Sequence, residues 1–219
     1  MAGKNRNVFA IIISAVVVVA VVAVGALVVV MNNRASAPAQ APAAGLVNQD
    51  NGGVALGDGP DLVQEYVDFM CPACKRSFDA YGDDLTERIE SGDITLEIHP
   101  ISILDHQSQG TEYSTRAAAA TYCVAEDNGD AFYPFVDLLF KNQPRQSSTG
   151  LDNDQLTRYA EQAGAAGAAS CIADGTYMDF VAEKTSEANI TATPTIRVNG
   201  EEIAPTMNFE NDILPLLAG

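Results

Sequence analysis

A Cys-x-x-Cys motif at residues 71–74, with the sequence CPAC, constrains the fold of this chain more than any other feature. The preceding residues 62–70 are rich in β-branched and aromatic side chains, which favours a strand. Proline is favoured at the first position of a helix, so Pro72 predicts a helix that runs to about Glu90. Two sulfurs are therefore expected within one helical turn of a strand-to-helix junction.

The first sulfur of this pair is expected to be the more reactive one. Cys71 lies at the N-cap of the predicted helix, where unpaired backbone N–H groups and the helix dipole stabilise a thiolate, below the free-cysteine pKa of about 8.5. Cys74 lies one turn further in, and we expect it to resolve a mixed disulfide formed at Cys71. We interpret the pair as a redox-active disulfide. A zinc half-site, which needs two further ligands, and an inert structural disulfide are the alternatives.

The rest of the chain predicts an α/β domain in which strands flank a block of helices. Ile94–Ile101 is predicted to be a second strand, which completes a parallel β-α-β unit with the first strand and helix. Helical patterns interrupted by Gly and Pro follow over about residues 105–175. The last elements form a β-β-α unit, with a strand at Thr195–Val198, a two-residue hairpin turn at Asn199-Gly200, a return strand from Glu201 and a helix over 208–217.

A proline near the end of the chain connects the cysteine motif to a known family. The segment Thr193-Pro194-Thr195 directly precedes a predicted strand. Together with the Cys-x-x-Cys motif it resembles the thioredoxin superfamily, in which a cis-proline at the start of a strand faces the motif. The resemblance implies a thioredoxin-like fold over residues 54–219, a cis bond before Pro194 and a substrate-binding loop in which the Thr193 hydroxyl lies near Cys71.

Two further stretches narrow the resemblance. Residues 65–74, EYVDFMCPAC, and the helical insertion are similar to DsbA-like thiol:disulfide oxidoreductases. Residues 109–118, QGTEYSTRAA, resemble members that are anchored in the envelope of high-GC Gram-positive bacteria. The chain departs from the best-known DsbA pattern at Ala73, where that pattern has histidine, so the oxidising strength of those proteins does not carry over. Lys75 and Arg76 either compensate for this loss or point to solvent.

The other two cysteines, Cys123 and Cys171, lie 48 residues apart in the predicted helical block. In an oxidising compartment a leftover pair most simply forms a structural disulfide, and the resemblance to the Gram-positive members supports this pairing. Two buried free thiols and a redox relay to Cys71 are the alternatives.

An acidic residue, Asp68, precedes Cys71 by three positions on the strand that is expected to be buried. In one interpretation its carboxylate accepts or relays the proton of Cys74 during exchange. In the other it is a half-exposed polar residue at the end of the strand.

An apolar run from Val8 to Met31 precedes the domain. A helix of this length reaches roughly 36 Å at about 1.5 Å per residue, which suffices to cross a hydrocarbon core of about 30 Å. Lys4 and Arg6 precede the run, whereas Arg34 alone follows it closely. The positive-inside bias therefore predicts a single-pass membrane anchor with residues 1–7 in the cytoplasm and the later residues outside.

The segment after the apolar run is open to two interpretations. Ala-Ser-Ala at residues 35–37 resembles a signal-peptide cleavage site, so a cleaved signal is the alternative to a retained anchor. In either case residues 32–53, which are rich in Ala and Pro in their first part, are expected to form a linker.

The formal charge of −17 argues against a nucleic-acid partner, because binding of that kind needs a basic face. We therefore predict an extracytoplasmic thiol:disulfide oxidoreductase that introduces disulfides into exported, unfolded proteins with free cysteines. The resemblance implies reoxidation by a membrane partner of the DsbB or vitamin K epoxide reductase type, with no bound cofactor and no metal. A reductase or isomerase of the cell envelope, and a non-catalytic binding or chaperone module, are the alternative functions.

Overall fold

The computed structural model describes residues 11–13, 15–25, 39–43 and 45–217, which fall into two units divided after residue 38. In the first unit, residues 11–13 and 15–25 are helical. Within the described residues no helix combines the length and the apolarity that crossing a membrane requires. The rest of the predicted anchor, the predicted cytoplasmic segment 1–7 and the start of the predicted linker lie outside the described residues, so the anchor stays a prediction.

The second unit is built around a five-stranded sheet of β1 (Val54–Leu56), β2 (Asp61–Val67), β3 (Ile94–Pro100), β4 (Thr195–Val198) and β5 (Glu201–Ile203). Across the sheet the strands lie in the order β1-β3-β2-β4-β5. Strands β2 and β3 are parallel, and the other three neighbouring pairs are antiparallel. The predicted β-α-β unit and the late hairpin are therefore both present.

Helix α1 (Pro72–Glu90) connects the two parallel strands and carries the Cys-x-x-Cys motif at its start. Its inner face repeats at helical spacing and buries Cys74, Ser77, Tyr81 and Leu85. An insertion of further helices follows β3, as predicted. The remaining helices are α2 (Tyr113–Asp127), α3 (Phe132–Lys141), α4 (Asn153–Ala163), α5 (Ala169–Asp174), α6 (Met178–Ala188) and α7 (Phe209–Asp212).

The packed unit begins earlier in the chain than the predicted linker boundary at residue 53. Val47 is buried and forms a β-bridge with Val54 at the sheet edge. The Tyr122 hydroxyl donates a hydrogen bond to the Gly52 carbonyl at 2.6 Å. Residues 45–53 therefore pack on the domain instead of acting as a spacer, because Val47 and the following turn supply apolar and backbone contacts that the composition does not reveal.

The C-terminal helix is shorter than the predicted span of 208–217. Helix α7 ends at Asp212, and a 3₁₀ turn over Leu214–Leu216 follows it. Pro215 explains the break, because a proline removes the backbone N–H that a continuing α-helix needs.

Candidate active site

Both cysteines at the strand-to-helix junction are buried, Cys74 completely and Cys71 nearly so. Cys71 is the N-cap of α1, with an extended backbone (φ −84°, ψ 114°), and Pro72 occupies the first turn. Both cysteines are free thiols. Cys71 is 7% exposed, whereas Cys74 is 0% exposed, so Cys71 is the more accessible of the two cysteines.

The loop that contains Pro194 lies against the Cys71 sulfur. The Thr193–Pro194 peptide bond is cis, and Thr195 directly after it pairs with Tyr66 of β2. The antiparallel pairing of β4 with β2 brings the loop to the end of the strand that leads into Cys71. The Cys71 thiol donates a hydrogen bond to the Thr193 carbonyl, with a sulfur–oxygen distance of 3.2 Å.

The surroundings of Cys71 favour its ionised form. The hydrogen bond from the Cys74 thiol makes the largest contribution, and it lowers the pKa of Cys71 to about 5. Burial opposes the shift, while the Thr193 side chain and the backbone N–H groups of Cys74 and Ala73 add to it. The hydrogen bond from the thiol to the Thr193 carbonyl exists only in the protonated form, because a thiolate can accept hydrogen bonds but cannot donate them. In the ionised form the sulfur is held by the donors named above.

The pKa values of the two cysteines are shifted in opposite directions. Burial raises the pKa of Cys74 well above its ordinary value, and the neighbouring Cys71 raises it further. A low pKa at the accessible sulfur and a high pKa at the buried one divide the roles of the pair. A sulfur with a lowered pKa has the properties of an exchanging thiolate, and a buried sulfur with a raised pKa keeps its proton.

The origin of the low pKa differs from the sequence-based expectation. The helix N-terminus was expected to stabilise the thiolate, and the N–H groups of Cys74 and Ala73 do lower the pKa of Cys71, but the Cys74 thiol contributes more than either N–H group. The two basic residues after the motif, Lys75 and Arg76, contact groups other than the Cys71 sulfur. Lys75 lies 3.3 Å from the Asp79 carboxylate, and the Arg76 guanidinium donates to the Pro72 carbonyl at 3.3 Å.

Asp68, the predicted proton relay, is fully buried, so it is not a half-exposed residue at the strand end. Its carboxylate accepts hydrogen bonds from the Met70 N–H at 2.8 Å, the Ser114 hydroxyl at 2.7 Å and the Leu104 N–H at 2.9 Å. Burial raises its pKa to about 6 even though these three donors oppose the shift. The side chain thus links the end of β2 to α2 and to the loop after β3.

A second buried acid, Glu65, was not recognised in the sequence. It lies on β2 six residues before Cys71 and is 3% exposed, and its Oε1 atom has no hydrogen-bond partner in the described structure. Burial raises the pKa of Glu65 to about 7. Its charge contributes to the raised pKa of Tyr81, a buried residue of the helix that carries both cysteines.

The alternation of side chains along a strand could have identified Glu65 from the sequence. Successive strand side chains alternate between faces, so Glu65 shares a face with the buried Val63 and Val67. An acid at a core-facing position without a charged partner is a candidate functional group, because its pKa is raised toward neutrality.

Cys123 and Cys171 form a disulfide with a Cα–Cα distance of 5.8 Å. The bond joins α2 to α5 within the helical insertion and closes a loop of 48 residues. In the part of the chain that the structure describes, no group of three or more His, Cys, Asp or Glu side chains is arranged to hold a metal ion.

Comparisons with known proteins point to the same chemistry as this geometry. Residues 51–211 match the family model Thioredoxin_4, described as thioredoxin. The reduced disulfide bond oxidoreductase DsbG from Mycobacterium tuberculosis is 34% identical, with a TM-score of 0.64, and the match covers 68% of this chain and 79% of that one. Oxidised DsbA from the same organism is 32% identical, with a TM-score of 0.65 and coverage of 70% and 86%.

One curated relative is named as a protein kinase and not as an oxidoreductase. The serine/threonine-protein kinase PknE of Mycobacterium tuberculosis is 31% identical over 148 residues, which are 64% of this chain and 26% of the kinase. The chain therefore spans about a quarter of the length of that relative.

The sheet order, the cis-proline loop and the paired sulfurs define a thiol–disulfide oxidoreductase with a thioredoxin-like fold. The chain belongs to the thioredoxin family and, within it, to the DsbA-like enzymes with relatives in high-GC Gram-positive bacteria.

Proposed function

We propose that this protein introduces disulfide bonds into exported proteins by passing on a disulfide between Cys71 and Cys74. One observation carries the proposal: an accessible sulfur with a pKa lowered to about 5 faces a cis-proline loop, and its partner sulfur is buried with a raised pKa. A low pKa makes Cys71 a good leaving group and stabilises the reduced form, as an oxidant of other thiols requires.

The reaction proceeds in two exchanges. A client thiolate attacks the Cys71 sulfur of the Cys71–Cys74 disulfide, so a client–Cys71 bond forms and Cys74 leaves with the bonding electron pair. A second client thiolate then attacks the client sulfur of this mixed disulfide, and Cys71 leaves as a thiolate. The client loses two electrons and gains a disulfide, and the protein keeps both electrons as two reduced sulfurs.

The proton that Cys74 takes up comes from inside the protein. With its raised pKa, Cys74 cannot remain an anion after it leaves the disulfide, and it is shielded from bulk water. The two buried acids of this region, Glu65 and Asp68, are the proposed sources of the proton, because burial raises the pKa of Glu65 to about 7 and that of Asp68 to about 6. Asp68 has donors on both oxygens and supports the structure of the loop.

The location and partners are part of the same proposal. The apolar run at residues 8–31, together with the basic residues before it, supports a single-pass anchor with the catalytic domain outside the cytoplasm. The disulfide between Cys123 and Cys171 suits an oxidising compartment. Unfolded exported proteins are the proposed clients, and a membrane reoxidase of the DsbB or vitamin K epoxide reductase type is the proposed source of oxidising equivalents.

The reduction potential of the Cys71–Cys74 pair tests the direction of exchange. A value near about −120 mV supports an oxidase, and a value near about −270 mV supports a reductase. The oxidised domain should also restore disulfides to a reduced, unfolded client. Cys71→Ser should abolish this activity. With a client that carries a disulfide, the Cys71 thiolate of Cys74→Ser should attack that bond, displace one client thiolate and accumulate a mixed disulfide, because no second sulfur is present to resolve it. If wild type and Cys71→Ser behave alike, the chain is a binding or chaperone module and the proposal fails.

A further inference from the structure

A glutamine from the helical insertion contacts the backbone on both sides of the redox junction. Gln143 lies just after α3, and its side-chain amide donates hydrogen bonds to the Phe69 carbonyl at 3.1 Å and to the Cys71 carbonyl at 3.0 Å. These two carbonyls flank Met70, where β2 has ended and α1 has not yet begun. One amide nitrogen therefore bridges the two backbone positions that set the direction of the Cys71 side chain.

The last turn of α3 strengthens this contact with aromatic packing. The ring of Phe140 lies 5.2 Å from the ring of Phe69 and 5.0 Å from the ring of Phe78, measured between centroids. Phe69 precedes the motif, and Phe78 belongs to the helix that follows it. The insertion thus holds the polypeptide on both sides of the cysteine pair, and Gln143 supplies the polar part of the contact.

We propose that Gln143 is a positioning residue for the Cys71 thiolate, and this inference rests on the proposed function. The Cys71 carbonyl accepts two hydrogen bonds, one from the Lys75 N–H at 3.2 Å and one from Gln143. Fixing this carbonyl fixes the N-cap backbone and so keeps Sγ within reach of its donors. The amide also offsets the negative ends of two carbonyl dipoles near the sulfur, which favours the anion.

Replacement of the Gln143 amide should destabilise the Cys71 thiolate without removing any hydrogen-bond donor that contacts the sulfur itself. Gln143→Met keeps the length of the side chain and loses the donor, and we expect the pKa of Cys71 to rise by about half a unit to one unit, the scale of one neutral hydrogen bond. Gln143→Glu keeps the shape but places a carboxylate against two carbonyls. We expect a larger rise for this variant.

The neighbouring residue provides a matched control. The Asn142 side chain donates to the Leu138 carbonyl of its own helix at 2.9 Å and is exposed, so Asn142→Ala removes an amide donor from the same turn without touching the junction. We expect this variant to leave the pKa of Cys71 and the redox equilibrium with glutathione at their wild-type values.

The readouts are the thiolate titration of Cys71, followed by ultraviolet absorbance, and the equilibrium constant with glutathione. Support requires that the pKa rise in the order wild type, Gln143→Met, Gln143→Glu, with a matching loss of the reduced form at equilibrium. If both Gln143 variants keep the wild-type pKa of Cys71, or if Asn142→Ala shifts that pKa by the same amount, the inference is wrong. The proposed function would be unaffected by either result. A wild-type pKa of an ordinary cysteine would instead overturn the proposed function itself.

Discussion

The unfolding free energy of the reduced form, relative to that of the oxidised form, should depend steeply on pH. The structure lowers the pKa of Cys71 to about 5, whereas an unfolded cysteine titrates at about 8.5. Because the folded value lies below the unfolded one, the thiolate stabilises the reduced fold fully above the unfolded pKa. This stabilisation is lost progressively as the pH falls through the range down to the folded pKa.

The size of the effect follows from the shift. One pKa unit corresponds to about 1.4 kcal/mol, so at pH 7, two units above the folded pKa of Cys71, the thiolate contributes about 3 kcal/mol to the reduced form. At about pH 5 the contribution is close to zero. The oxidised form has no ionisable sulfur at this position, and groups with the same pKa in both forms cancel in the difference.

Urea denaturation of both forms, repeated at several values between about pH 5 and pH 7, measures this difference directly. Glu65 titrates in the same range, so the Glu65→Gln variant serves as a control that should keep the same slope. A stability difference that stays constant with pH, or a Cys71 titration midpoint at the free-cysteine value, would refute the reasoning.

Three further variants test other parts of the site and fold. Cys74→Ala removes the donor that contributes most to the low pKa of Cys71, so a thiolate titration should show that pKa raised by about one unit or more, and an unchanged value would contradict the assignment. Burial raises the pKa of Glu65 to about 7, and a raised carboxyl pKa destabilises the fold above the unfolded value, so Glu65→Gln should increase the unfolding free energy by about 1–3 kcal/mol at about pH 8 and leave it unchanged at about pH 4. Serine at both Cys123 and Cys171 should lower the unfolding free energy by up to about 4 kcal/mol, as a loop of 48 residues suggests, while the Cys71 titration stays the same.

The helix that carries the motif was predictable to the residue, and other elements were not. Pro72 marks the start of α1 and the Ser91-Gly92 pair marks its end, so local signals defined both boundaries. Strand β1 was missed because it has three residues at a sheet edge and is held by pairing with β3 and a bridge to Val47. Contacts that join distant parts of the chain leave no local pattern in so short a segment.

The candidate active site also has a part that the sequence predicts and a part that only the structure shows. The cysteine motif and the Thr193-Pro194 segment are recognisable because their chemistry depends on residue type and spacing. The choice between the buried acids depends on what surrounds each carboxylate. Asp68 was the candidate because it precedes Cys71 by three positions on a strand expected to be buried, and its carboxylate accepts hydrogen bonds from Met70, Leu104 and Ser114. Glu65 lacks a partner for one oxygen, and only the packed structure shows that difference.

The alanine at position 73 affects the thiolate less than the sequence alone suggested. The groups that lower the pKa of Cys71 are the Cys74 thiol, the Thr193 side chain and two backbone N–H groups, one of them from Ala73 itself. The spacing of the motif and the cis-proline loop fix these donors, and a backbone N–H is present at position 73 with any residue except proline. The acidity of Cys71 and the side chain at position 73 are therefore separable in this protein. A change of side chain at position 73 should therefore leave the pKa of Cys71 largely unchanged, whereas the groups at positions 74 and 193 determine how readily the Cys71 sulfur leaves.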